Sequence, residues 1–562
     1  MRERGPLRSV IQVRGSFGPP SAPGLEYTAR YHFHAGSAAV RVLFTIENNH
    51  HGGRTASGNA DNADIGGVNC VFFEELLLRL PLSAGPAASL TVGGAADADP
   101  VRLPLGGRVQ LYQDSSGGAH WDRYRAEEFR PRPNSYVSFR GYRLLVEEGA
   151  VQEGDRALGW LSVGGEGGGV VVAVRDFWQS FPKSLAVAKD GAVEVGLFPG
   201  RWAGEFALRS GEHKTHEVLF DFSPSAREDG GRAAALAFSH PLRLEPSPAW
   251  FATTRALGDL HPFDPARYPA YEVRNLSAIG VYPEGQDGPS VLSRREEMNF
   301  YGWMDYGDFP IDFEEPSGQW GMKYDIDYHL AQHWARSLDP RWWDLFLAAS
   351  KHHCDIDVHH QPHHPELHFV KGGSWAHSLH SEPGHRNPHR NRNHFTQDLC
   401  FGARGAAARH YLTGDWKAYD TVVEQAENAL AEYMSPQSEP DPGAHNHMGD
   451  RGGGGRAQPT AGGVPAYWRR TVSHPRPLAH PVLRLRRPAR ISPPHLTVGL
   501  HLLHDGPRAL CGDAPRGCRC SPLAACPPGS PLAGLTAAGR HDVHHHAAAR
   551  RHGHGRGCHQ YV

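Results

Sequence analysis

The segment Asp325-Ile-Asp-Tyr-His-Leu-Ala-Gln-His-Trp-Ala-Arg-Ser337 runs through Leu338-Asp-Pro-Arg-Trp-Trp343 into Pro340 to Lys351, and its periodicity decides the second half of the fold. Apolar groups recur at steps of three and four, which predicts two helices joined by a short turn. A second pair, Gln397 to Leu412 and Trp416 to Tyr433, repeats the arrangement, and its turn Leu412-Thr-Gly-Asp-Trp-Lys-Ala-Tyr419 answers the first. In each turn an Asp stands just before the next helix, placed to cap its exposed N–H groups. Paired hairpins predict an α/α stack, against the alternative of a plain bundle with two similar turns.

Upstream of Phe222 the period is two. Val10 to Arg14, Tyr27 to Phe33, Ala39 to Ile46, Phe72 to Leu80, Val137 to Leu145, Gly169 to Arg175, Ala192 to Phe198 and His216 to Phe222 are β-rich runs. Gly, Pro, Asn and Ser clusters separate them, as at Lys189-Asp-Gly191. Successive strands without intervening helices predict antiparallel sandwich sheets rather than βαβ units. The expected fold is therefore multidomain β plus α: an N-terminal β-sandwich region over 1–105, a central β-sandwich over 106–240 and a linker over 241–294. A partial α/α toroid of helical hairpins over 295–450 and a disordered or out-of-frame tail over 451–562 complete it.

Composition supports that division. The 562 residues exceed one domain, and 39% hydrophobic with 21% charged residues excludes collagen and coiled coil. No apolar run approaches the roughly 20 residues that span a bilayer, and Met1 to Val13 lacks the apolar core of a secretory signal. The chain as written is expected in the cytosol, or secreted if the true start lies upstream, as the early first strand suggests. No membrane partner is expected. Cys70, Cys354 and Cys400 are too few for a disulfide framework.

The near-neutral total charge of −2 hides a cancellation. From Arg451 to Val562 there are 16 Arg, three Asp, five of the eight Cys, and no Lys, Glu or Phe. The preceding residues hold 42 basic and 57 acidic groups. A phosphate-binding arm would mix Lys with Arg, so no nucleic-acid partner is expected. Cys518-Arg519-Cys520 fits no zinc-finger spacing. The composition instead matches a slipped reading frame in GC-rich DNA beginning at Arg451-Gly-Gly-Gly-Gly455, and such a tail, lacking periodicity, is expected to be coil.

Four polar clusters carry the candidate chemistry. In Tyr301-Gly-Trp-Met-Asp-Tyr-Gly-Asp308, Trp303 suits a sugar face and Asp305 and Asp308 suit its hydroxyls, unless the Trp is core. In His352-His-Cys-Asp-Ile-Asp-Val-His-His360, an extended backbone would put Asp355, Asp357 and His359 on one face. That triad would hold sugar hydroxyls or a divalent metal, or orient an imidazole; a structural network at a helix end is the alternative. His377, His380, His385, His389 and His394 with Arg386, Arg390 and Arg392 suit an anionic substrate, or form a solvated loop. Lys214-Thr-His-Glu217 lets Lys214 and His216 reach a neighbouring domain, unless it is an exposed strand face. No cofactor is required, and the need for a divalent cation stays open.

The collinear order of Asp176-Phe-Trp-Gln-Ser-Phe-Pro-Lys183, Gly211-Glu-His-Lys-Thr-His-Glu217, Met304-Asp-Tyr-Gly-Asp308, His353-Cys-Asp-Ile-Asp-Val-His359 and Leu412-Thr-Gly-Asp415 is similar to the exo-rhamnogalacturonan lyase (PcRGLX/YetA-like) family. The likeness covers about residues 5 to 450. It implies β-sandwich domains followed by an α/α toroid, and β-elimination at galacturonate in a rhamnogalacturonan backbone, with a polysaccharide or oligosaccharide as substrate. A six-hairpin ring needs on the order of 300 residues, so roughly half of it is expected to be absent, with poor solubility and little or no activity.

Elimination needs a cation beside the uronate carboxylate and a base beside C5. His353 or His394 is the expected base, Tyr306 the acid to the leaving oxygen, and Arg392 or Lys214 the carboxylate partner. Asp305, Asp308, Asp355 and Asp357 are left to bind hydroxyls or position imidazoles. The alternatives are a glycoside hydrolase using paired carboxylates, or a non-catalytic sugar-binding remnant.

Overall fold

The computed structural model describes residues 2–18, 24–50, 71–82, 89–104, 106–122, 137–165, 168–208, 211–224, 231–310, 319–320, 325–358, 360, 371–373, 402–434 and 495–499. The chain divides into two units, 1–502 and 503–562, and every described residue lies in the first.

Two large sheets dominate the described residues. The nine-stranded sheet runs, edge to edge, Glu3–Arg4, Arg8–Ser16, Glu26–His34, Ala39–Glu47, His213–Asp221, Gly168–Val174, Ala157–Gly165, Ser89–Ala95 and Val101–Pro104, and its pairings are antiparallel. The seven-stranded sheet runs Gly149–Gly154, Tyr142–Val146, Val109–Gln113, Lys183–Val187, Val193–Phe198, Glu75–Leu80 and His495–Gly499. Their inner faces share one core. Val42, Phe44, Val172, Val218 and Phe220 from the first sheet meet Leu78, Leu111, Leu185, Val195 and Phe198 from the second. Strands from both sides of position 105 take part in each sheet, so the expected domain boundary there runs through both sheets.

The strand His495–Gly499 differs from the coil expected of the tail. It pairs in parallel with Glu75–Arg79, and Leu496-Thr-Val498 is among the few β-prone runs in the tail. The rest of 451–562 lies outside the described residues.

Eight α-helices are described: α1 (Arg232–Ser239), α2 (Pro248–Thr254), α3 (Pro269–Ala278), α4 (Val291–Glu297), α5 (Ile326–Ser337), α6 (Pro340–His352), α7 (Arg404–Thr413) and α8 (Trp416–Met434). Two of them, α2 and α3, lie in the stretch read as linker, and α4 begins there. Ser247 and Ser290 cap α2 and α4, and Pro begins α2 and α3. Both expected hairpins form. Asp339 accepts from the Arg341 amide at 3.0 Å and Asp415 from the Lys417 amide at 2.9 Å, so both turns use the capping Asp. Leu330, Trp334, Trp343, Phe346 and Ala408 build the helical core with Phe251 of α2. Two hairpins are described, and the toroid implied by the resemblance goes beyond them.

The outer face of the nine-stranded sheet is covered by helices. α1 packs Ala235 and Phe238 on Trp160, Ala173 and Leu219. Further along the same face, α8 is tied down by the Arg30–Asp420 ion pair at 2.8 Å and by contact between Lys417 and His213 at 2.7 Å. His213–Asp221 is therefore buried on both faces.

Candidate functional site

The end of α6 sets the site. The helix does not stop at His352 but widens into one π turn over His353–Asp357, and the Val358 amide bonds the His353 carbonyl at 3.2 Å. Of the two arrangements weighed for this segment, the described residues 353–358 take the helix-end network and not the extended backbone. Asp355 and Asp357 do not share a strand face; the widened turn sends them to different partners, a common use of such turns. Asp355 accepts from the Thr215 amide at 2.8 Å and the Thr215 hydroxyl at 2.7 Å, docking the turn onto the sheet. Asp357 lies 3.4 Å from His352 Nε2.

His353 is fully buried, with Nδ1 3.0 Å from Asp327 and Nε2 3.2 Å from Gln425. Both of its ring nitrogens are thus engaged within the protein. The preceding residue differs: His352 Nδ1 is buried with no hydrogen-bond partner among the described residues. Burial favours neutral imidazole in His352, but the Asp357 carboxylate outweighs it, and the pKa is raised. His353 is raised in the same way, burial being outweighed by Asp327.

Lys214 and His216 sit on the strand His213–Asp221, and alternation puts them on the side of the core residues Val218 and Phe220. None of Lys214 to Glu217 forms an exposed face. Burial lowers the Lys214 ammonium to about 8, against the opposing pull of Asp355, with Asp176, Asp305 and Lys351 also near enough to act. His216 packs edge-on to Phe198 at 5.0 Å; burial and then Lys183 hold it well below the ordinary imidazole range. Lys183 itself donates to the carbonyls of Ser180 at 2.6 Å and Pro182 at 3.0 Å, and burial depresses its pKa strongly.

The loop 301–308 lies against the end of α6. A Cβ at Gly307, which has φ +111°, would meet the Ala348 carbonyl at 2.3 Å and the His352 Cβ at 2.7 Å. Glycine is therefore required for loop and helix to approach. Trp303 is 7% exposed, with its ring against Phe198 at 5.1 Å and Phe206 at 6.5 Å, so it packs in the sandwich core. Asp305 and Asp308 are buried. The half-buried rings Tyr306 and Trp178 flank Tyr301: Tyr306 stacks on it at 6.0 Å between centroids, and Trp178 is tilted against it at 4.9 Å. Burial, and then the Asp176 charge, push the Tyr306 phenol far above its ordinary value.

Asp176 joins the two halves. It sits at φ +55°, a left-handed conformation that non-glycine residues adopt sparingly and Asp tolerates better than most. Its carboxylate lies 3.4 Å from Lys351, and its charge acts on both Tyr306 and Lys214. The structure therefore brings Lys214, His216, Tyr306, Asp305, Asp308, Asp355 and Asp357 to one sheet–helix junction. Asp176, Lys351 and His352 join them, three residues that sequence reasoning gave no role. His359, Arg392 and His394 lie outside the described residues.

Behind the junction, a narrow polar crevice is lined by Thr215, Glu217, Lys351, Asp355, Arg409 and Asp415 among others. Its charges are matched: Arg409 meets Asp415 at 2.8 Å, and Glu217 meets Arg41 at 2.7 Å and Arg175 at 2.8 Å. Among the described residues, no three His, Cys, Asp or Glu side chains converge to hold a metal ion, and no helix is long and apolar enough to cross a membrane.

Residues 148–199 match the family described as "PcRGLX-like protein central beta sandwich domain". That match supports the resemblance at the level of this one domain and points to sugar chemistry. No curated protein matches the chain. Among solved structures, the chain is similar to the GH36 α-galactosidase AgaA from Geobacillus stearothermophilus, at 12% identity and TM-score 0.22, covering 39% of this chain and 30% of that one. It is also similar to a putative aldose 1-epimerase from Escherichia coli, at 8% identity and TM-score 0.20, covering 39% and 66%. The chain thus spans under a third of the α-galactosidase, and likenesses this slight decide neither fold nor function.

Proposed function

We propose that this protein is a carbohydrate-active enzyme of the polysaccharide lyase class, cleaving a rhamnogalacturonan-type pectic backbone by β-elimination at galacturonate. The observation that carries the reading is the carboxylate-held imidazole at the junction, His352 with Asp357, beside a lowered ammonium at Lys214 and a phenol at Tyr306 that stays protonated.

His352 Nδ1 removes the C5 proton, and the C–H electron pair becomes the C4–C5 double bond. The C4–O bond breaks with its electrons, and Tyr306 gives its proton to the leaving oxygen. Lys214, with Arg392 as a second cation, neutralises the uronate carboxylate, without which C5–H is too weak an acid. His353 positions the turn through Asp327, and His394 is the other imidazole to weigh as base. Asp305 and Asp308 bind sugar hydroxyls or orient Lys214 and His352. Asp355, engaged by Thr215, holds the turn in place.

A hydrolase is the second reading, favoured by the gathering of four carboxylates, Asp305, Asp308, Asp355 and Asp357, at one junction. Incubation with rhamnogalacturonan oligosaccharides separates the readings. Ultraviolet absorbance from unsaturated uronate ends is the expected result. New reducing ends without that absorbance would replace elimination by hydrolysis, and binding without either product would leave a sugar-binding protein.

A further inference from the structure

The last turn of α4 holds a guanidinium with two nitrogens that no described residue satisfies. Ser290 and Ser293 cap the helix reciprocally, fixing its start, and Arg295 faces inward with only 6% exposure. Its Nε and Nη2 are buried and have no hydrogen-bond partner among the described residues. The carboxylate of the next residue is taken: Glu296 binds Arg156 at 2.6 Å and the Tyr301 hydroxyl at 2.5 Å, while Asp344 feels the Arg295 charge only at longer range. A buried guanidinium left unpaired is strongly unfavourable unless an anion completes it.

Two features say what that anion is. Nε and Nη2 form the side-on fork of a guanidinium, which matches the two oxygens of a carboxylate. The same two atoms of Arg8 grip the two oxygens of Glu3 at 3.0 and 2.6 Å elsewhere in this protein. The fork also stands beside an aromatic row: the Arg295 guanidinium carbon is 5.6 Å from the centre of the half-buried Tyr306 ring, which stacks on Tyr301. An aromatic ring beside a carboxylate-sized fork suits a sugar acid, whose carboxylate the fork holds and whose C–H groups meet the ring.

We infer that the Nε/Nη2 fork of Arg295, beside the Tyr306 ring, is a binding site for the carboxylate of a uronic acid. The inference rests on the acidic-sugar reading of the junction and adds to it a carboxylate partner distinct from Lys214 and Arg392. Because the fork meets the carboxylate in the ground state, it governs affinity and the choice of charged over neutral sugar.

Calorimetric titration of the intact chain with D-galacturonate and with D-galactose tests it. Galacturonate is expected to bind at least tenfold tighter than galactose, and Arg295→Met is expected to lose that preference while leaving galactose unchanged. Arg295→Lys should fall between, keeping the charge and losing the fork. Ligand-free Arg295→Met should melt no lower than the parent, since it removes an unpaired buried charge. An unchanged preference in Arg295→Met, no preference in the parent, or a melting temperature lowered by many degrees, including failure to fold, would each overturn the inference. The last would mean that Arg295 has an internal partner. Failure of the lyase reading looks different: no unsaturated product, with Arg295-dependent galacturonate binding intact.

Discussion

Thr215 offers both its backbone amide and its hydroxyl to the two carboxylate oxygens of Asp355, at 2.8 and 2.7 Å. The pair spans 140 positions in sequence and ties the end of the helical hairpin to the middle of the nine-stranded sheet. Asp355→Ala leaves a buried amide and hydroxyl short of an acceptor, although Thr45 is still 2.9 Å from the hydroxyl. A loss of about 3 kcal/mol is expected, against about 1 kcal/mol for Thr215→Val. Denaturant unfolding of both single variants and the double variant measures the coupling. Strictly additive losses would mean that the two residues act independently.

His352 sets the pH dependence of the proposed reaction. A base must be neutral to accept the C5 proton, so the rate rises with pH through its pKa. Burial lowers that pKa and Asp357 more than restores it, so the rising limb is expected above the ordinary imidazole value near 6.5. Asp357→Asn removes the raising charge and should move the limb to lower pH. His352→Gln should cost roughly 10² to 10⁴ in rate. A limb that stays in place in Asp357→Asn would take the base role away from His352.

Acid should loosen the fold through histidines that are buried neutral. Burial, and then Arg41 and Arg8, lower His32 to about 4, and burial with Arg336 does the same to His333. Each folded value lies below the unfolded one, so its stabilisation is full above pH 6.5 and is lost as pH falls from there towards 4. Over that window His32 alone should account for about 2 kcal/mol. His32→Phe should flatten the decline in denaturation midpoint between pH 7 and pH 4.5. An equally steep decline in that variant would assign the acid sensitivity elsewhere.

Much of this arrangement was legible in the sequence because periodicity reports burial on one face. The run Ala39 to Ile46 became the strand Ala39–Glu47, and Pro340 to Lys351 became α6. Periodicity reports less where both faces are covered: Lys214 to Glu217 is polar yet wholly buried, because each charge is met by a residue distant in sequence, such as Arg175 and Arg41 for Glu217. Alternation could not decide between an extended backbone and a helix end at 353–358, since a π turn has no signature of period two. Trp303 shows a further limit: a Trp among Gly and Asp fits a sugar platform and a core plug equally, and only the Phe198 and Phe206 rings decide between them. Arg295 gave no signal, being one Arg among the charged residues of Arg294-Arg-Glu-Glu297.

The two hairpin turns look alike in sequence but differ in what their Asp residues support. Asp339 pairs with Arg341 two residues on, and the Arg side chain is 39% exposed, so that ion pair is worth less than about 1 kcal/mol. Asp415 is buried and is held by Arg409 from the preceding helix, while Arg409 also donates to the Leu347 carbonyl at 2.7 Å and so links both hairpins. Burial alone would raise the Asp415 pKa, but Arg409 brings it down to about 2. Arg409→Met strands the Asp415 charge in the interior and should cost 3 to 5 kcal/mol by the usual range for a broken buried pair, roughly. Arg341→Met should cost no more than its surface pair. The sign of the pH effect follows: the parent keeps the stabilisation of Asp415 above the ordinary carboxylate value and loses it only as pH falls towards 2, whereas Arg409→Met should recover relative stability on acidification, as Asp415 becomes neutral. Thermal melting of both variants at pH 7 and pH 4.5 checks this, and equal losses for the two at pH 7 would mean that the Arg409–Asp415 pair does not hold the hairpins together.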